Sequence, residues 1–382
     1  MRYYIIAGEA SGDLHGSKLI RELKKSDPEA VIHCWGGDLM QAAGGELVKH
    51  YRELAFMGFT EVIMNLRTIM RNLRFCKEDI LQFKPDALIL IDYPGFNLKI
   101  ATWAKEKKIK VIYYISPQVW AWKEVRVHTI KQSVDKMLVI LPFEKAFYHK
   151  WNYEVEYVGH PLVEELEEFK SRWVYDNGKT QANIVALLPG SRRQEILAKL
   201  PIMLNVSAHF PSYDFVIARA PGVEDAFYDQ LSRHYPNVKS VSGKTYDLLI
   251  NAKAALVTSG TATLETALFG IPEVVCYKGS WLSYEIAKRI IRIKYISLVN
   301  LIMDKPVVKE LIQHELTVEN LKRELDLILH DQSRINQMKS DYATLRNILS
   351  QGGHASANAA NAISRFLRSG SSSQLMQREK GK

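Results

Sequence analysis

Two turns in the second half of the chain carry the residue types that can hold a phosphate chain. The first lies in Asn183-Ile-Val-Ala-Leu-Leu-Pro-Gly-Ser-Arg-Arg-Gln-Glu-Ile-Leu197. Ile184 to Leu188 is an unbroken apolar run, as in a strand buried on both faces. Pro189 and Gly190 end it, Ser191 suits the N-cap position, and the pattern is helical from Arg192. Free backbone N–H groups and the positive end of a helix dipole make such a turn an anion site. Cations are disfavoured at a helix start, so Arg192 and Arg193 point to an anion nearby. A βα turn with two solvated arginines has the same local pattern.

The second turn, in Ala254-Ala-Leu-Val-Thr-Ser-Gly-Thr-Ala-Thr-Leu-Glu-Thr-Ala-Leu268, favours the functional reading. A strand through Val257 meets Ser259 and Gly260, and a helix opens at Thr261 with Glu265 in its first two turns. Gly260 lets a ligand approach the backbone, while Thr261 and Thr263 offer hydroxyls and N–H groups. Glu265 could accept from the two hydroxyls of a ribose, or serve only as a favourable charge near a helix start. One turn with an arginine and one with a glutamate make a cradle for a nucleoside diphosphate.

The acid–base candidate is Asp92. The apolar strand Ala87-Leu-Ile-Leu-Ile91 ends on it, and Tyr93-Pro94-Gly95 turns the chain before a helix at Phe96-Asn97. A carboxylate at the carboxyl end of a buried strand is partly desolvated, its pKa free to rise toward that of a general base. An aspartate capping the next helix is the alternative, with Asn97 the better-placed cap. Gly8, Gly12 and Gly16 follow the first strand at a spacing of four, which is not the dinucleotide fingerprint. Glu9, Ser11, Asp13 and His15 among them suit a hydroxyl-rich ligand, or Ser11 or Asp13 simply starts the helix. Trp120 and Trp122, after Ser116-Pro117, could pack as core or wall a sugar or acyl site.

Strand-like runs alternating with helical patterns position these turns, which means a parallel sheet covered on both faces. The first half has runs at Tyr3–Ala7, Val31–Trp35, Ala87–Ile91, Val111–Ile115, Met137–Ile140 and Val155–Val158. The second half has them at Ile184–Leu188, Phe215–Ala218, Val238–Val241, Ala254–Val257 and Glu273–Cys276, followed by helices only. Residues 162–182 read as a linker. The divisions are a first domain over 1–165, a second over 166–345, a helix over 346–368 and a disordered tail over 369–382. Doubly wound halves of this kind bind ligand at the carboxyl ends of their strands.

At 382 residues the chain suits two domains. A net charge of +9 favours phosphorylated ligands, nucleic acid or an anionic membrane surface. Three cysteines without metal spacing predict a reducing compartment, and the absence of a long apolar run or leader predicts a cytoplasmic protein. Ala55-Phe-Met-Gly-Phe59 is an apolar run in a connecting segment. The helix after it gathers Val62, Ile63, Leu66, Ile69, Met70 and Leu73 on one side, with Arg67, Arg71 and Arg74 elsewhere. That pattern packs on a sheet or lies in a membrane interface, where Phe56, Met57 and Phe59 would join it. Lys288-Arg289 with Arg292 and Lys294 is a second basic patch. No nucleic-acid-binding motif is present.

Taken in order, these residues resemble the lipid-A-disaccharide synthase family. The likeness is carried by Gly8-Glu-Ala-Ser-Gly-Asp13, Met57-Gly-Phe59, Ile91-Asp92 with Phe96-Asn97, Ser116-Pro117 with Val119-Trp-Ala-Trp122, Leu141-Pro-Phe-Glu-Lys-Ala-Phe-Tyr148 and Gly159-His160. It continues through Leu188-Pro-Gly-Ser-Arg192, Ser259-Gly-Thr-Ala262 with Leu264-Glu265, Ser297-Leu298, Asn300-Leu301 and Val308-Lys-Glu-Leu311. Gly95 and Val299 depart from the family pattern.

The resemblance implies a GT-B glycosyltransferase: two Rossmann-like domains facing a cleft, with the last helices crossing back to the first. The implied reaction joins UDP-2,3-diacylglucosamine to 2,3-diacylglucosamine 1-phosphate with inversion, giving the β-1′,6-linked disaccharide and UDP. By resemblance Asp92 is the base for the acceptor 6-hydroxyl, and Arg192 with Gly190 and Ser191 holds the diphosphate. Ser259, Gly260, Thr261 and Glu265 hold the nucleotide, with Gly8, Ser11, Asp13, Asn300 and Glu310 as further substrate contacts. The helix from Val62 would rest on the inner face of the inner membrane, making the protein peripheral there, as monomer or homodimer. No metal or cofactor is implied, and no D-x-D sequence occurs. Alternatives are another sugar-nucleotide enzyme of this fold, such as a UDP-N-acetylglucosamine 2-epimerase, or a nucleotide- or nucleic-acid-binding protein.

Overall fold

The structure is a computed structural model that describes residues 1–54, 66–122, 124–173, 183–279 and 294–379. Side chains are described for all of these except Leu66, Trp122 and residues 370–379. The chain forms two compact units, one of Met1–Glu165 with Leu349–Lys382, the other of Leu166–Ile348.

The first unit has seven strands: β1 (Arg2–Ala7), β2 (Val31–Gly36), β3 (Glu46–His50), β4 (Ala87–Ile91), β5 (Val111–Tyr114), β6 (Lys136–Val139) and β7 (Glu156–Tyr157). Its helices are α1 (Ala10–Ser26), α2 (Asp38–Ala42), α3 (Leu66–Phe83), α4 (Pro94–Glu106), α5 (Val119–Trp122), α6 (Arg126–Ser133) and α7 (Glu144–His149), and α8 (Pro161–Arg172) follows. The second unit has β8 (Ile184–Leu188), β9 (Asp214–Arg219), β10 (Val238–Ser242), β11 (Ala254–Thr258), β12 (Glu273–Tyr277) and β13 (Lys309–Ile312). Its helices are α9 (Arg193–Ser207), α10 (Asp225–Ser232), α11 (Thr245–Asn251), α12 (Thr261–Phe269), α13 (Leu298–Met303), α14 (Val318–His330) and α15 (Gln332–Ser350), before a final α16 (Ala355–Glu379).

Both sheets are parallel. Their orders are β3-β2-β1-β4-β5-β6-β7 and β10-β9-β8-β11-β12-β13, so each reverses direction once, between β1 and β4 and between β8 and β11. At such a reversal the connections leave toward opposite faces and open a crevice beyond the strand ends. The apolar strands follow from this burial. Tyr3, Ile5 and Ala7 pack on one face of the first sheet with Ile89 and Ile91, while Tyr4 and Ile6 pack on the other with Leu88 and Leu90. The first of these faces is closed by Leu19, Ile20 and Leu23 of α1 and by Ala359, Ala360, Ala362, Ile363 and Leu367 of α16.

Two strands escape the sequence reading, β3 and β13. Both are edges, where one side of the strand meets water, and their sequences Glu-Leu-Val-Lys-His and Lys-Glu-Leu-Ile have no apolar run. The expectation of helices only after Cys276 is therefore corrected by β13. The stretch read as a disordered tail is helical up to Glu379, and its Gln374-Leu-Met-Gln-Arg-Glu379 segment is made of good helix formers.

Asp13 does not start its own helix. Its Oδ1 accepts from Gly37 N at 2.8 Å and Met40 N at 3.0 Å, and its Oδ2 from Leu39 N at 3.2 Å. The buried carboxylate thus satisfies the open N–H groups of α2, whose own N-cap, Gly37, has no side chain to do so. Asp13→Ala is expected to lower the unfolding free energy of the first unit by about 2–3 kcal/mol, as for a lost charged hydrogen-bond acceptor. Denaturant unfolding measures this, and unchanged stability would return Asp13 to a ligand-contact role.

Candidate active site

The second unit brings its two turns together. Leu188 is paired with Val257 across β8 and β11, so the chain leaves both strands at the same level, on either side of the sheet reversal. Gly190 has φ +120° and Gly260 φ +144°, a region where a side chain is strained. A Cβ on Gly190 would also stand 2.7 Å from Glu195 Oε2, whereas Gly260 faces open space. Between the turns is a cavity of about 530 Å³ lined by Gly190, Ser191, Arg192, Ser259, Gly260, Thr261 and Glu265, among others. A second cavity of about 390 Å³ shares Thr245 and Glu265 with it and adds Phe169, Tyr246 and Asp247.

The helix starts differ in detail from the sequence reading. Arg192, not Ser191, occupies the N-cap of α9, and no side chain caps it. At the head of α12, Gly260 is the N-cap, and Thr263 donates its hydroxyl to Gly260 O at 2.8 Å. The first N–H groups of both helices are therefore left to a ligand or to water. The two arginines divide. Arg193 is engaged by Glu224 at 2.6 Å and lies over the Phe227 ring at 4.5 Å. Arg192 is exposed at the cavity, where among the described residues its one ion pair is a 3.8 Å contact to Glu195.

In the first unit, Ala7 and Tyr114 flank Ile91 in register, so Asp92 leaves β4 beside the Gly8–Glu9 turn that follows β1. Asp92 and Tyr93 have φ of +44° and +49°, two consecutive left-handed residues that each cost about 1–3 kcal/mol. Their conformation is held from several sides. The Asp92 carbonyl accepts from Asn97 Nδ2 at 2.8 Å and from the Tyr113 hydroxyl at 2.5 Å, and the Tyr93 hydroxyl donates to Leu54 O at 3.3 Å. Gly8 is buried against the Tyr93 ring, where an added Cβ would meet ring atoms at 2.3 Å. Burial pushes the Asp92 carboxyl up to about 6, and the neighbouring Glu9 charge adds to the rise. A carboxylate so placed can take a proton near neutral pH.

Other sequence candidates are placed elsewhere. Asn97 does not cap: α4 begins at Pro94, whose missing N–H suits that position, and Asn97 Nδ2 instead reaches the carbonyls of Ile91 and Asp92. Asn300 and Glu310 lie away from the cavity lining and hold each other at 2.9 Å. Asn300 also exchanges two hydrogen bonds with Val308, and Glu310 accepts from Ile296 N and Ser297 N. Ser259 Oγ donates to Ile296 O, so this network braces the Gly260 turn from behind. Asp13 is the α2 cap described above. Ser11 is exposed at the start of α1. Trp120 packs edge-on against Phe143 as core. Glu9, read with Ser11 and Asp13 as facing a hydroxyl-rich ligand, stands beside Asp92 instead, and Lys199 was missed because nothing in a mid-helix lysine marks it out.

Of the proposed membrane residues, Phe56, Met57, Phe59, Val62 and Ile63 lie outside the described residues, as does the Leu66 side chain; of the second basic patch, Lys288, Arg289 and Arg292 also lie outside. On α3, Ile69 and Leu73 pack on the core of the first unit, which corrects the membrane-contact reading of Ile69. Met70 is 57% exposed and Phe75 43%, beside exposed Arg67, Arg71 and Arg74.

Comparison with known proteins agrees with this geometry. A family model described as lipid-A-disaccharide synthetase matches residues 3–364. A lipid-A-disaccharide synthase of Syntrophus aciditrophicus is 39% identical over 377 residues, covering 96% of this chain and 98% of that protein. The fold is shared with UDP-GlcNAc 2-epimerase from Neisseria meningitidis, solved bound to UDP-GlcNAc, with TM-score 0.64, 14% identity and coverage of 97% of this chain and 100% of that one. It is likewise shared with the glycotransferase of kitacinnamycin, with TM-score 0.65, 16% identity and coverage of 96% and 99%. With its two parallel sheets, its paired glycine turns and this match along nearly its whole length, the chain belongs to the lipid-A-disaccharide synthase family, glycosyltransferases of the GT-B fold.

Proposed function

We propose that the chain transfers 2,3-diacylglucosamine from UDP to the 6-hydroxyl of 2,3-diacylglucosamine 1-phosphate with inversion. The observation that carries this reading is the cavity at the β8–β11 reversal, where two glycine turns, two uncapped helix starts and Arg192 surround one space. Asp92 accepts the proton of the acceptor 6-hydroxyl as its oxygen bonds to the donor's anomeric carbon. The bond from that carbon to the diphosphate breaks, its electron pair leaving with UDP. Arg192 and the N–H groups beside Ser191 and Thr261 neutralise the charge that develops there. Glu265 accepts from the ribose hydroxyls, while Asn300 and Glu310 act indirectly by bracing the Gly260 turn. This scheme requires no metal. The test is mass spectrometry of the product from the two acylated substrates, with UDP release measured in EDTA.

The exposed part of α3 supports a peripheral membrane role. Met70 and Phe75 offer apolar contact, and three arginines near an anionic surface contribute about 1 kcal/mol each. Among the described residues no helix is long and apolar enough to cross a membrane.

Four outcomes follow from these assignments. Arg192→Ala is expected to reduce saturated turnover by about 10²-fold, as for loss of one preorganised donor, and near-normal turnover would remove it from the scheme. For Asp92, kcat/KM should rise with pH through about 6, because only the ionised carboxylate accepts a proton. Glu9→Gln should move that limb to lower pH, since removing a negative neighbour favours ionisation; a pH–rate profile with an unmoved limb, together with an active Asp92→Asn enzyme, would exclude Asp92 as base. Replacing Met70, more exposed than Phe75, by serine should weaken sedimentation with anionic vesicles at unchanged thermal stability. Undiminished vesicle binding would remove that face from the membrane contact.

A further inference from the structure

Helix α9 carries a lysine beneath the cavity. Lys199 is 3% exposed. Its Nζ donates to Oγ1 of Thr258, the last residue of β11, and lies 3.6 Å from where a Cβ on Gly190 would stand. Gly190 and Thr258 both line the cavity, and Lys199 stands behind them. One ammonium is therefore bonded to the end of β11 and stands beside the turn that leaves β8.

The surroundings give this charge little compensation. Glu195, one turn earlier on α9, is drawn toward Arg192, and among the described residues no carboxylate forms an ion pair with Lys199. The other titratable group facing it is Cys276 on β12, whose thiol burial pushes up to about 12, so it stays neutral. Burial lowers the pKa of Lys199, with Glu195 and Cys276 acting in the opposite sense. A buried cation held by a neutral hydroxyl and not by an ion-paired carboxylate is costly to fold around. An anion arriving in the cavity above it would remove that cost.

Resting on the nucleotide reading above, we propose that Lys199 is a positioning residue and buried counter-charge of the site, holding the Gly190 and Ser259–Gly260 turns through Thr258 and stabilising a diphosphate bound over them. A diphosphate favours the charged ammonium, so its binding raises the affinity of Lys199 for a proton. UDP binding should then take up a proton at alkaline pH, and affinity should weaken as pH rises through the lowered value of the free protein. Uridine, lacking the phosphates, should do neither.

The test is calorimetric titration of UDP and of uridine into wild type, Lys199→Met, Lys199→Gln and Lys199→Arg, at alkaline pH in two buffers of different ionisation heat. Met and Gln are expected to lose about 10- to 100-fold in UDP affinity, the scale of one charge-assisted interaction, with uridine affinity unchanged and proton uptake abolished. Arg, always charged, should stay within about tenfold of wild type without proton uptake. Gln keeps a donor for Thr258, so its failure separates charge from hydrogen bonding, and it provides the reading should Met not fold. UDP bound as tightly by the neutral variants as by wild type, or UDP and uridine weakened equally, would overturn the proposal. Wild type binding neither ligand would overturn the nucleotide reading itself, and this inference with it.

Discussion

A diphosphate is heavily hydrated, and a protein that binds it must offer fixed donors in place of that water. Donors that have to reorganise on binding would return much of what they gain, so the backbone is the best source. In the second unit the pairing of Leu188 with Val257 supplies this rigidity, because it brings two chain exits to one level at the sheet reversal. Gly190 and Gly260 then turn through positive φ, leaving helix starts that no side chain caps. Arg192 adds a cation at the cavity, while Arg193 is held away by Glu224 and Phe227. The site thus follows from strand register more than from any single side chain.

The first unit uses the same topology for the opposite electrostatic purpose. Its reversal between β1 and β4 places Asp92 beside Glu9, in partial burial and without a cation bonded to it among the described residues. A carboxylate in those surroundings holds its proton more tightly than in water, which makes it a better base when ionised. The two left-handed residues Asp92 and Tyr93 hold strain, and that strain is balanced by Asn97, Tyr113 and the contact of Tyr93 with Gly8. Strain of this kind persists only where the surroundings over-determine it.

Several polar residues that read as ligand contacts are satisfied inside the protein. Asp13 completes α2, and Asn300 with Glu310 ties the loop before α13 to the edge strand β13. Loops at the strand ends lack ladder partners for their N–H and C=O groups, so polar side chains gather there to supply them. The same neighbourhood holds the groups proposed to face substrate. Residue type alone cannot separate the two uses, since both ask for a carboxylate or amide at a turn.

The sequence alone determined the doubly wound architecture, because strands buried on both faces must be apolar runs and their turns must carry glycine. It likewise determined the position of Asp92 at a strand end and of Arg192 and Glu265 at the helix starts that follow β8 and β11, and the family likeness borne by the motifs in order. Edge strands β3 and β13 stayed hidden, since half-exposed strands have no apolar run to show. The partners of Asp13, Asn97, Asn300 and Lys199 were decided only by tertiary structure. Each reaches a group 8 to 91 residues away, or one on a neighbouring strand, and local pattern carries no record of that distance. Which of two adjacent arginines stays at the cavity was settled the same way, by the packing of Glu224 and Phe227 around Arg193.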